Sequence, residues 1–135
     1  MTKYFTNRMS SYESCIISLL QREGIYFVRE KTFQDLRRYK LRYDFYLPTI
    51  DTLIEIDGQQ HFHQIKHFQK LSCDFTKQQE YDRIKNSYAL ANSIQLIRIP
   101  YWEFDNGTIQ TFQDLFQSKF IVKSKWHNDY LKEPN

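Results

Sequence analysis

The chain has 135 residues, a formal net charge of +3 and a high aromatic content of 17%, which excludes a disordered or low-hydrophobicity chain. That length suits one compact domain with its own core, and no apolar run reaches membrane-spanning length. The start carries no secretory-signal pattern, and Cys15 and Cys73 lack metal or redox spacing, so the expected compartment is a reducing, cytoplasmic one. The mild basicity is compatible with a nucleic-acid partner but does not require one. There is no internal repeat or linker, so one domain is expected over 1–135, with a core of about 10–120 and a basic, aromatic tail over 121–135.

In chain order, Ser10-Ser11-Tyr12-Glu13 matches a capping box and opens a helix. Tyr12, Cys15, Ile16, Leu19 and Leu20 form its apolar face, and Gly24 is placed to end it. Glu13 reads either as a capping residue or as an acid leaning toward a site. Ile25 to Glu30 is expected to be a strand. The connection after it holds Arg37, Arg38, Lys40 and Arg42, the most basic stretch, which reads as a solvated face or as a phosphate contact.

Arg42 to Leu47 and Thr52 to Asp57 alternate with period two and predict two strands joined through Pro48-Thr49-Ile50-Asp51. Tyr43, Phe45 and Leu47 are expected on one face of the first. If Leu47 faces Thr52, Asp44 lies opposite Glu55, with Cβ atoms about 4.5–5.5 Å apart. Opposed carboxylates repel unless a cation lies between them, and hard divalent cations take clustered oxygen ligands. Asp57 adds a third acid, Gly58 permits a sharp turn, and Gln59, Gln60 and His61 follow. The alternative is an ordinary ion-pair network, with Asp44 on Arg42 and Glu55 on a lysine. His61, His63, His67 and Cys73 lack the ligand spacing of a structural zinc site, which makes zinc the weaker reading.

Thr76 is expected to cap a helix running to about Asn92. Its polar stripe of Gln78, Asp82, Lys85 and Asn92 either edges a site or makes local ion pairs. Ile94 to Ile99 reads as a central buried strand broken by Arg98, and Thr108 as the cap of a last helix to about Lys119. The order helix, three strands, helix, strand, helix predicts an α/β fold with a mixed central β-sheet flanked by helices.

The helix with Glu13, then DFYLP, IEIDGQQHF, EYDRIKN and IQLIRIPYWEF, resembles the PD-(D/E)xK nuclease superfamily with its restriction-endonuclease-like fold. The branch it is most similar to is the very-short-patch-repair-like endonucleases, with phage-type homing endonucleases of the E-D-x-H-D pattern. The resemblance covers about Ser10 to Phe104 and implies metal-dependent hydrolysis of DNA phosphodiesters. It implies Mg²⁺, with Mn²⁺ as a substitute, held by Glu13, Asp44 and Glu55. Asp57 stands where the superfamily lysine would be, so His61, Lys85 or Gln59 is expected to act on the water, and the resemblance also points to Asp82. Arg37, Arg38, Lys40 and Arg42 are the expected DNA contacts, and a homodimer is one arrangement that would supply readout. A structure-specific, resolvase-like nuclease, a DNA-binding subunit without catalysis and an RNA-directed protein are the alternatives.

Overall fold

The computed structural model describes residues 10–63 and 72–134, and of 72–74 the backbone only. The readings of Met1 to Met9, His67 and the Cys73 side chain lie outside the described residues.

Helix α1 spans Ser11–Arg22, and both bonds of the expected capping box are made: the Ser10 hydroxyl accepts the Glu13 N–H at 3.1 Å, and Glu13 Oε1 accepts the Ser10 N–H at 2.9 Å. Gly24, with φ of +69°, follows its end in the left-handed conformation that glycine adopts without strain. The sheet has four strands in the order β1 (Val28–Lys31), β2 (Tyr43–Leu47), β3 (Thr52–Asp57) and β4 (Gln95–Pro100). β1, β2 and β3 are antiparallel neighbours, and β4 runs parallel to β3. The parallel pair requires a crossover, which helix α2 (Ser72–Ala91) supplies.

Successive residues of β3 and β4 face opposite sides, so two cores form. Ile54, Ile97 and Ile99 pack with Phe45 and Leu47 against Ile16, Leu19 and Leu20 of α1. Leu53 and Leu96 pack with Tyr43, Leu36 and Ala89 on the α2 side. The hairpin register is the expected one, with Leu47 opposite Thr52. The faces of β2 differ from expectation. Tyr43 joins the α2-side core and Phe45 the α1-side core, so the alternation breaks at Asp44. Opposite this break on β1 lies Glu30, with φ of +52°.

Several boundaries are corrected. α2 begins four residues before Thr76, which is inside the helix and not its cap. β4 is an edge strand, although its apolar run suggested a central one. Its free edge is covered by the later chain: Val122 donates its N–H to Leu96 O at 2.9 Å, and Ile121 bridges Ile97. Tyr101–Asp105 forms a short helix, α3. The expected helix from Thr108 to Lys119 is instead two 3₁₀ turns, Phe112–Phe116 and Ser118–Phe120, the first capped by Thr111. The extended Gln117 between them lets Leu115 and Phe120 both enter the α1-side core, which a continuous α-helix would not allow.

Candidate active site

A cleft of about 360 Å³ opens where α1 meets the end of β3. Ser10, Tyr12 and Glu13 line one side, and Asp44, Ile56, Gly58, Gln59 and Gln60 the other. Thus the structure brings together three expected site residues from three separate elements: Glu13, Asp44 and Gln59. Gly58 has an ordinary extended backbone (φ −78°), so it is not the sharp turn that was expected. A Cβ there would meet Gln60 Oε1 at 2.8 Å, the far end of a flexible side chain that can move aside.

Asp44 sits at the break in the ladder. Its Oδ2 accepts the Ile56 N–H at 2.8 Å, while its own N–H goes to Glu55 Oε1 at 2.7 Å. The carboxyl is pushed up to about 8, by burial first and then by the charges of Glu55 and Glu13, against the Ile56 N–H and Lys85. Glu13 is bound at both oxygens, to the Ser10 N–H and to Arg29 at 3.2 Å. Glu55 is 3% exposed and turned to the α2 side, where Lys85 Nζ holds its Oε2 at 2.7 Å. The expected opposition of Asp44 and Glu55 on one face is not formed: the paired register ends at Phe45–Ile54, and only Asp44 lines the cleft. Lys85 reaches Glu55 from α2, with its ammonium over the Tyr43 ring, and does not pair with Asp82.

The second part of the site lies below His61. Its Nδ1 is 2.9 Å from Asp82 Oδ2 and 3.4 Å from Asp57 Oδ1, and Gln78 donates to Asp82 at 3.2 Å. The Phe62 ring packs on Trp102 and Tyr101 of α3 and fixes the chain just beyond His61. Burial opposes the imidazolium, but Asp57 and Asp82 outweigh it and raise the His61 pKa. Burial also opposes ionisation of Asp82, yet Arg98 and His61 prevail and lower its pKa. Asp57 is fully buried, with Arg98 on one oxygen at 2.5 Å and Asn128 on the other at 2.8 Å. It lies beneath the site, where no substrate reaches it. Burial pushes its carboxyl up, Arg98 and His61 oppose this, and both of its oxygens accept N–H donors, which is the arrangement of a carboxylate.

Asp57, His61 and Asp82 present ligand atoms within 4.8 Å of one another, a spacing that a metal ion could use. Arg98 already occupies that role, with guanidinium nitrogens 2.5 Å from Asp57 and 3.5 Å from Asp82. A further cation there would meet its repulsion. His63 is turned away to Glu133, so it does not join His61 in a zinc cluster.

Arg37, Lys40 and Arg42, with Thr32 and Leu41, line a separate pocket of about 220 Å³ beside β1. Arg42 pairs with Glu30 at 2.7 Å, and Arg38 stacks on Tyr39. Sequence reasoning did not assign Arg29, Asn86 or Asn128 to the site. Arg98 gave the one usable signal, a cation inside an otherwise apolar strand.

No family model and no solved structure matches the chain. A stretch of 63 residues, 47% of the chain, is 35% identical to Uncharacterized protein 307L of Invertebrate iridescent virus 6. The match spans about a third (32%) of that viral protein.

Proposed function

We propose that this chain is a divalent-cation-dependent endonuclease acting on DNA, with the cleft as its active site. The observation that carries this reading is Asp44, an acid at a break in the ladder, facing Glu13 across a cleft that Gln59 also lines, two residues before the Asp82-anchored His61. Carboxylate oxygens at the cleft suit a hard cation such as Mg²⁺, or Mn²⁺ in its place. Asp44 would hold it, Glu13 would join by releasing Arg29, and Glu55 would join only by giving up Lys85 or the Asp44 N–H. Once bound, such a cation sharpens a water nucleophile and offsets charge on a phosphate.

The chain's own groups do the rest. Asp82 fixes His61 through Nδ1, leaving Nε2 as the nitrogen that exchanges a proton with water. Lys85 keeps Glu55 neutralised next to Asp44. Gln59 edges the cleft, where its amide can orient a phosphate or the water. Arg37 and Lys40 make no ion pair or side-chain hydrogen bond among the described residues, which leaves them free for backbone phosphates.

The test is a panel of supercoiled plasmid, branched junctions, single strands and matched RNA, with Mg²⁺, with Mn²⁺ and with chelator. Cation-dependent cleavage of DNA that is lost in Asp44→Asn is the expected result. No cleavage of any substrate, or cleavage indifferent to Asp44 and His61, overturns the proposal. A second reading, a DNA-binding subunit without catalysis, is favoured by one observation: both oxygens of Glu55 are already engaged. DNA binding without cleavage and without cation-dependent stabilisation would select it.

A further inference from the structure

Four side chains from four separate parts of the chain close a hydrogen-bonded ring beneath His61. Arg98 on β4 donates through a terminal guanidinium nitrogen to Asp57 Oδ1 on β3 at 2.5 Å, and through Nε to Asn86 Oδ1 on α2 at 2.6 Å. Asn86 Nδ2 donates to Asn128 Oδ1 at 3.0 Å, and Asn128 Nδ2 donates back to Asp57 Oδ2 at 2.8 Å. Asp57, Asn86 and Arg98 are fully buried. Only Asn128 belongs to the tail, in the turn His127–Tyr130, which Arg83–Asp129 (3.1 Å) and the bond from Asn86 to Lys125 O (3.1 Å) hold against α2.

We infer that Asn128 is a positioning residue of the active site: by occupying the second oxygen of Asp57, it keeps His61 committed to Asp82. The reason is competition for one imidazole nitrogen. His61 Nδ1 already lies 3.4 Å from Asp57 Oδ1 and 2.9 Å from Asp82. Asp57 is quieted by two donors, Arg98 and Asn128. Without Asn128, a buried carboxylate oxygen loses its partner, and its charge acts more strongly on the cationic donors around it. Arg98 already holds Oδ1 at 2.5 Å, so the donor with a bond still to gain is His61, 3.4 Å from that carboxylate. The charged groups facing His61 are Asp57 from β3, Asp82 from α2 and Arg98 from β4; His127 of the tail is held below its ordinary value by burial and then by Arg98. Removing one neutral donor from Asp57 therefore shifts the balance toward the imidazolium.

The inference rests on the nuclease reading for its catalytic meaning, but its test does not need cleavage. In the full chain, the His61 ring is titrated by NMR in the wild type, Asn128→Ala and Asn128→Ser. The expected result is a His61 midpoint raised by about half a unit or more in both variants. Where the protein cleaves DNA, the acid limb of the rate profile moves the same way while KM for DNA holds. An unchanged or lowered midpoint in a folded variant overturns the inference, whatever happens to activity. Should neither variant fold, the wild type decides: an Asn128 side-chain amide that exchanges freely with solvent overturns it, and a protected one supports it. Absence of cleavage by the wild type speaks against the nuclease reading alone.

Discussion

Asp44 and His61 are two titrating residues with opposite neighbourhoods. The Asp44 carboxyl is raised from 3.8 to about 8, so its contribution to stability is complete below about pH 4 and is lost as pH rises through about 8. Asp44→Asn removes that loss. In chelator at about pH 9, thermal unfolding should show the variant more stable than the wild type by roughly 4 °C or more, and the difference should vanish near pH 4. Mg²⁺ should raise the wild-type midpoint at the higher pH and leave Asp44→Asn unmoved. At His61, replacement by alanine is expected to cut the cleavage rate by about 10²-fold or more with little change in KM, since a proton-transferring group acts in the transition state and not in binding. Single-turnover kinetics checks it. Glu13 has a double role, as cap and as cleft residue. Glu13→Gln keeps an oxygen on the Ser10 N–H but loses the charge, so activity should fall while stability changes by less than about 1 kcal/mol.

At the scale of elements, α2 and β4 meet through charge as well as through apolar packing. Arg98 is buried completely and serves Asp57, Asp82 and Asn86 together. Arg98→Met keeps much of the stem but leaves two buried acids without their cation. The expected loss is about 3–5 kcal/mol in urea unfolding, the usual cost of removing one side of a buried ion pair. The hairpin of β2 and β3 shows the complementary device. Its ladder is regular from Phe45–Ile54 to Leu47–Thr52, and at Asp44 side-chain oxygens take over from the backbone. An acid is thereby turned into the cleft from a strand whose other side chains serve the two cores.

For the whole molecule, the acidic cleft and the basic pocket are separate surfaces. Glu13 and Asp44 line the first, and Arg37, Lys40 and Arg42 line the second, beside β1. If DNA lies across both, Arg37→Ala with Lys40→Ala should lower the slope of log affinity against log salt by about 2, at unchanged cleavage rate under saturation. Anisotropy titrations with a labelled duplex across a salt series check it. The segment after Phe120 is an integral part of this body. Ile121 and Val122 cover the β4 edge, and Lys125 to Asp129 lock onto α2 and β3. Among the described residues no helix is long and apolar enough to cross a membrane.

The capping box at Ser10, the register of Leu47 on Thr52 and the α/β order followed from local pattern, because caps and alternation are properties of neighbouring residues. The place of Glu13 beside Asp44 did not: the local pattern left Glu13 as a cap or as a site acid, and only the packed structure puts both residues on one cleft. Three outcomes were decided only in three dimensions. β4 lies at the edge, its burial supplied by Ile121 and Val122 from a distant stretch that local hydropathy cannot link to it. Asp57 and Glu55, alike in the sequence as exposed-looking acids of an alternating strand, were both turned into buried partners, one by Arg98 and Asn128 and one by Lys85. His61 was handed to Asp82 from twenty-one positions away. The cause is the same in each case: which partner neutralises a buried charge depends on what folding brings within about 3 Å, and that distance is not written along the chain.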